Sequence, residues 1–181
     1  FRDDQEPWSD LPIGRRGLIG IPIILGLRSL RWSQDGAVEI GMKAAPADAR
    51  RSNLFFDDDH LVVEAVLGQR KILATLDTGA QTTDLYENFA KEFANLVREA
   101  GKKDTTEVRG VGHAERFDSI TMPELKLNVG RLDVLLRPAH VLLKQIGAKC
   151  CVGNFGVDLL KQGRAFKIDF GTMRLDLDPK Y

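Results

Sequence analysis

From residue 60 onward, short runs of apolar and β-branched residues alternate with turn residues. Leu61–Val66 is apolar and β-branched, Gly68-Gln69 marks a turn, and Lys71–Leu76 continues as a partner strand. Leu125, Leu127 and Val129 alternate with Glu124, Lys126 and Asn128, the pattern of a half-buried strand. Thr105–Val111, Arg116–Met122 and Asp133–Leu136 read as further strands, separated by Gly112, Pro123 and Gly130. Between the early and late strands the period changes. Leu85, Phe89, Phe93, Leu96 and Val97 recur at helical spacing and predict one helix over Leu85–Ala100. Asp84 can cap it with Glu87 completing a capping box, and Gly101 can stop it. The expectation is a mainly β domain, a small glycine-punctuated barrel with one inserted α-helix.

The chain also resembles itself. Phe155-Gly156-Val157-Asp158-Leu159-Leu160 leads through Arg164 and Phe166 to Ile168, a turn, and Met173–Leu177. Ile19-Gly20-Ile21-Pro22-Ile23-Ile24 leads through Arg28 and Leu30 to Trp32, a polar turn at Gln34-Asp35-Gly36, and Ala37–Ile40. The two align without gaps as far as the turn. Two unrelated buried strands of similar composition would give the same appearance. The sharper expectation is that Leu18–Ile40 is the tail of an earlier copy of the domain. Residues 1–45 then form an N-terminal extension, 46–59 a linker rich in Ala, Asp, Arg and Asn, and 60–181 the domain proper.

Composition narrows the function classes. The 181 residues are 43% hydrophobic and 29% charged, ordinary for a globular domain with an extension. With 26 basic against 26 acidic residues, no footprint for nucleic acid or an anionic membrane is present. The two cysteines, Cys150 and Cys151, are neighbours, a spacing that strains a disulfide and supplies too few thiols for a structural zinc site. They read as small packing residues. Leu18–Leu27 follows Arg15-Arg16 and imitates a signal peptide, but it is too short to span a bilayer and follows the acidic stretch Phe1–Asp10. The chain opens on Phe1 rather than Met, so a longer parent is expected. The compartment stays open: a signal peptide removed upstream would place the protein in the periplasm or outside the cell.

The chemical signal lies in Ile72-Leu73-Ala74-Thr75-Leu76-Asp77-Thr78-Gly79-Ala80. An apolar strand ends in an acid, a hydroxyl and a glycine. That order delivers a carboxylate to a strand end on a tight turn. Gly79 permits close backbone approach and unusual dihedrals, and Thr78 offers a hydroxyl to tie the turn to a neighbour. Alone, Asp-Thr-Gly is equally an ordinary strand-ending turn.

With its surroundings, the stretch resembles the retropepsin-like aspartic proteases, particularly bacterial members in which a helix follows an Asp-Thr-Gly-Ala turn. Three features match in order: Asp77-Thr78-Gly79-Ala80 with the following helix, the glycine-containing hairpin Val108-Arg109-Gly110-Val111-Gly112-His113 where this family places its flap, and Phe155-Gly156 followed by Val157-Asp158-Leu159-Leu160 and a closing strand pair. The likeness spans roughly residues 60–177; Asn154 departs from it, since the family carries an apolar residue there. The resemblance implies a single-lobe acid-protease barrel with one inserted α-helix. It implies an aspartic endopeptidase that needs no metal or organic cofactor, in which two carboxylates share a proton and activate water. Asp77 is then catalytic and Thr78 and Gly79 hold the turn. Ala80, Gly110, Val111, Gly112 and His113 contact an extended peptide or protein substrate. Asp77 is the only acid in such a turn, and Asp169-Phe170-Gly171 lacks the hydroxyl residue, so one chain supplies half a site. The expected source of the second half is a homodimer or an upstream homologous domain. The alternative is a protease-like domain that binds peptides or dimerises without cleaving.

Other residues have plainer readings. His113 also reads as a solvated turn residue, and His60 and His140 lack spaced metal-ligand partners. Asp57-Asp58-Asp59 lacks the alternation and glycine of a calcium loop. Gly110-Val111-Gly112 lacks the third glycine and helix of a dinucleotide fingerprint. No histidine is recognisably placed as a base for either cysteine.

Overall fold

The computed structural model describes residues 21–42, 51–110 and 113–180. The fold over these residues is mainly β, with a large sheet curled into a half-barrel. β3 (Leu54–Asp57), β4 (His60–Leu67) and β5 (Arg70–Leu76) form an antiparallel meander. Gly68 turns it with φ +62, a conformation that side chains resist. After β5 come the two-residue β6 (Asp84–Leu85), the helices α2 (Glu87–Glu92) and α3 (Ala94–Ala100), and the long hairpin of β7 (Lys102–Gly110) and β8 (His113–Met122). β9 (Leu125–Val129) and β10 (Leu132–Leu136) form a second hairpin, followed by β11 (Ala139–Leu142), β12 (Gly153–Phe155) and the short α4 (Val157–Leu160).

The strand order is β10-β9-β4-β5-β12-β6-β11-β8-β7, with β3 on β4. β12 runs parallel to β5, so the two strands end side by side, at Phe155 and Leu76. Alternate residues of the sheet join the helices in one core that includes Val63, Ile72, Phe89, Leu127, Phe155 and Leu159. Each such side chain contributes about 1.5–3 kcal/mol when buried.

A separate four-stranded antiparallel sheet has the order β14-β13-β1-β2. It joins β13 (Ala165–Asp169) and β14 (Arg174–Asp178) to β1 (Ser29–Ser33) and β2 (Val38–Ile40). α1 (Ile21–Gly26) precedes β1 and buries none of its residues. Among the described residues no helix is long and apolar enough to cross a membrane.

Three local expectations change, and a fourth, the stop at Gly101, holds for a steric reason. The single helix over Leu85–Ala100 is two helices, divided where Phe93 leaves helical dihedrals (φ −115, ψ 39). Asp84 is not its cap: β6 pairs with β11 on one side and β12 on the other, so sheet bonds claim the backbone a cap would organise. Gly101 stops α3 in extended conformation (φ −93, ψ 151) rather than a left-handed one. Its reason is space, because a Cβ there would lie 2.2 Å from Ile120 Cγ2 and 2.4 Å from the Val97 carbonyl. Finally, the stretch read as a linker over 46–59 contributes β3. It is anchored by Asn53, whose amide donates to the Leu175 carbonyl (2.9 Å) and accepts from the Leu175 N–H (2.8 Å) like a strand neighbour. Polar composition hides this, since one amide side chain supplies the pairing that a strand backbone otherwise would.

Candidate functional site

β5 is held between β4 and β12, and Asp77 follows its last residue. The Asp77 N–H donates to the Phe155 carbonyl at 3.0 Å, extending the β5–β12 pairing by one rung. Beyond it the chain turns sharply: the Ala80 N–H donates to the Asp77 carbonyl (3.2 Å), and the Gly79 N–H donates to Asp77 Oδ1 (2.8 Å). Gly79 is not in the left-handed region. A Cβ there would stand 3.1 Å from Asp77 Oδ1, so the glycine keeps room for the carboxylate to receive its N–H.

The turn is clamped from behind by the start of α4. The Val157 and Asp158 N–H groups donate to the Ala80 and Gln81 carbonyls (2.9 and 3.3 Å). Thr83 Oγ1 accepts from the Gly156 N–H (3.0 Å) and donates to Asp158 Oδ1 (2.7 Å). Gly156 is required by this approach, because a Cβ would lie 2.4 Å from the Thr82 carbonyl and 2.9 Å from that of Ala80. Asp77 itself remains exposed to solvent. Asp77 is thus fixed at its backbone and at one carboxylate oxygen, and the other oxygen has no hydrogen-bond partner among the described residues.

Asp77 lines a cleft of about 280 Å³ with Thr75, Leu76, Tyr86 and Asn154. Ile21 from α1, Gly147, and Asp59, His60 and Leu61 at the β3–β4 turn complete it. The Tyr86 ring is buried against Gly147, where a Cβ would lie 2.5 Å from Cε2. Burial raises the Tyr86 pKa, and the charges of Asp84, Asp77 and Cys151 raise it further, so its hydroxyl stays protonated. Tyr86 also packs with Phe117 of β8, Leu142 of β11 and Val108 of β7, which ties the cleft wall to the long hairpin.

The residues expected to act together fall in three places. Asp77 and the Gly79 N–H are in direct contact. Ala80 is half-buried and bonded through its backbone to α4. Thr78 lines a separate groove of about 220 Å³ with Trp32, Gln81 and Val157, and its hydroxyl has no hydrogen-bond partner among the described residues. Gly110 and His113 pair at the end of the β7–β8 hairpin, while Val111 and Gly112 lie outside the described residues. Cys151 is buried and Cys150 exposed, neither in a disulfide.

Sequence reasoning missed Tyr86, Asn154, Asp59 and His60 as cleft residues. His60 Nδ1 lies 2.8 Å from Asp59 Oδ1, so the last residue read as linker pairs with the first residue of the domain at the rim. Only the spacing of a tight β3–β4 turn could have signalled this, and the acidic run obscured it.

No protein-family model and no curated protein matches the chain. Among solved structures, the chain is similar to a retropepsin-like aspartic protease from Rickettsia conorii, with a TM-score of 0.41 and 23% identity over 62% of this chain and 78% of that one. It is also similar to the retroviral protease-like domain of Ddi1 from Leishmania major, with a TM-score of 0.47 and 21% identity over 66% of this chain and 88% of that one.

Proposed function

We propose that this chain is one half of an aspartic endopeptidase, with Asp77 as one of two carboxylates that activate a water for peptide hydrolysis. The observation that supports the reading most is the state of Asp77: an exposed carboxylate on a backbone held at Phe155, Ala80 and Gly79, facing a cleft. Positioning of that kind is what proton transfer to a bound water requires.

In the proposed reaction the charged carboxylate of the pair takes a proton from water as its oxygen bonds to the scissile carbonyl carbon. The protonated member gives its proton to the carbonyl oxygen. As the gem-diol collapses and the C–N bond breaks, the carboxyl that took the water's proton gives it to the departing nitrogen, and the other carboxylate takes a gem-diol hydroxyl proton, which restores the pair. Two carboxylates close enough to share a water cannot both ionise, so they titrate as a unit. The Gly79 N–H donates to Oδ1 of Asp77 at 2.8 Å and so restrains the carboxylate's rotation. The β7–β8 hairpin, through residues 110–113, closes over an extended peptide by strand-like pairing.

The test is cleavage of a denatured protein from acidic to neutral pH by the polypeptide as its cells make it, with and without a pepstatin-type inhibitor. Asp77→Asn is expected to abolish cleavage while leaving the thermal midpoint within a few degrees of the parent. Cleavage that survives the substitution removes the mechanism. Peptide binding without cleavage by the parent assigns the domain to recognition instead.

A further inference from the structure

The seam between β1 and β13 has an internal symmetry. Shifting the sequence by 136 residues carries β1 onto β13, Ser29 onto Ala165 and Ser33 onto Asp169. The same shift carries Arg31 onto Lys167, and Arg31 is paired with Lys167. Two equivalent strands that cross at their equivalent residue are related by a two-fold axis through that point, the relation of an isologous interface. The outer strands obey it too. Val38 stands opposite Trp32 as Leu175 stands opposite Ile168, and Ile40 opposite Leu30 as Leu177 opposite Phe166. α1 precedes β1 as α4 precedes β13, which makes Ile23 the counterpart of Leu159.

Burial breaks that symmetry. Leu159 and Leu177 are 0% and 1% exposed, whereas their counterparts Ile23 and Ile40 are 58% and 54% exposed. Trp32 and Val38 are likewise exposed where Ile168 and Leu175 are buried. The C-terminal element turns these side chains into the core of its own domain. In the N-terminal element Ile21 packs against that core and Trp32 reaches Phe166 across the seam, but Ile23, Val38 and Ile40 meet no core among the described residues. Apolar side chains at core positions of a repeated element require the body of that repeat to cover them.

We infer that Ile21–Ile40 is the closing element of a second domain of this same fold, placed upstream in one polypeptide, and that this domain supplies the carboxylate facing Asp77. The second clause rests on the proposed protease function; the first does not. A second copy of this chain fits less well, because the edge of β13 that it would pair with is already filled by β1. A covalently linked strand holds such a place at high effective concentration. Of the two expected sources of the second carboxylate, this seam favours the upstream domain over a homodimer.

Two measurements decide it. The sequence of the native polypeptide, read by mass spectrometry after isolation with an antibody to this chain, should hold a second apolar strand ending in Asp-Thr-Gly or Asp-Ser-Gly. The shift of 136 places it about 60 residues ahead of Phe1. Absence of such a turn upstream overturns the inference. In the 181-residue chain, Arg31→Cys with Lys167→Cys in a Cys150→Ser background should cross-link within a monomer on oxidation, since directly opposed residues lie within disulfide reach. A cross-linked product of twice the mass overturns it. A polypeptide that carries both turns and shows the internal cross-link but cleaves nothing leaves the fused pair standing and removes only the protease reading.

Discussion

Thr75 Oγ1 donates a 2.6 Å hydrogen bond to Asn154 Oδ1, joining β5 to β12 two residues before Asp77. Asn154 is the position where the resemblance to retropepsin-like proteases expects an apolar residue, and this bond is what makes the amide acceptable there. Thr75 is buried, and its only other acceptor among the described residues is the Gly153 carbonyl at 3.3 Å. Asn154→Leu is therefore expected to cost about 1–2 kcal/mol, the penalty for a buried hydroxyl left poorly paired. Adding Thr75→Val should recover most of that loss, because two apolar partners leave nothing unsatisfied. Urea unfolding of the parent, both single variants and the double variant closes the cycle. A neutral Asn154→Leu would show that the bond contributes nothing.

Gly156 and Gly26 make a matched pair for testing the clamp behind the Asp77 turn. A methyl at Gly156 meets the Thr82 carbonyl at 2.4 Å, and neither backbone can yield without moving the turn. A methyl at Gly26, the last residue of α1, meets nothing within 4 Å. Gly156→Ala should destabilise the domain by about 1–3 kcal/mol, as overpacking does, and should reduce cleavage further than its stability loss explains. Gly26→Ala should be neutral or stabilising by up to about 1 kcal/mol. Urea midpoints measured beside cleavage rates separate the two effects. Equal behaviour of the two variants would mean that α4 does not hold the turn.

What the sequence discloses and what it hides follow from element length. β4, β5, β9 and β10 are five to eight residues long and patterned by burial, so period and β-branching reveal them. β6 and β12 have two and three residues, too few for any period, yet they place the Asp77 turn between Phe155 and Tyr86. Asp84 looked like a helix cap because its neighbours carry a helical stripe, and only the pairing of His140 and Asn154 with it reveals a strand. The candidate carboxylate was legible because the Asp-Thr-Gly-Ala turn that closes an apolar run is followed in order by a helical stripe, a glycine hairpin and Phe155-Gly156. Its cleft was not, because Tyr86, Asn154, Gly147 and Ile21 meet only through long-range pairing.

Asp84 gives the domain a pH dependence of its own. It is buried in β6, and its Oδ1 has no hydrogen-bond partner among the described residues. Burial, opposed by the charge of His140 on β11 and reinforced by that of Asp158 on α4, pushes its pKa up to about 6. In the unfolded chain the same group titrates near an ordinary carboxylate value of about 3.9. The folded state thus holds this proton more tightly than the unfolded one. The stability linked to it is complete below about pH 4 and is lost as pH rises through about 6. Asp84→Asn is neutral at every pH. Its stability relative to the parent should therefore improve by on the order of 2 kcal/mol between pH 4 and pH 7.5. Removing the opposing cation with His140→Gln should move the transition to higher pH, because burial and Asp158 then act unopposed. Urea unfolding of parent, Asp84→Asn and His140→Gln at half-unit steps across that range reads both effects. If the gap between parent and Asp84→Asn is the same at pH 4 as at pH 7.5, Asp84 does not titrate in the folded domain and the buried proton is not there.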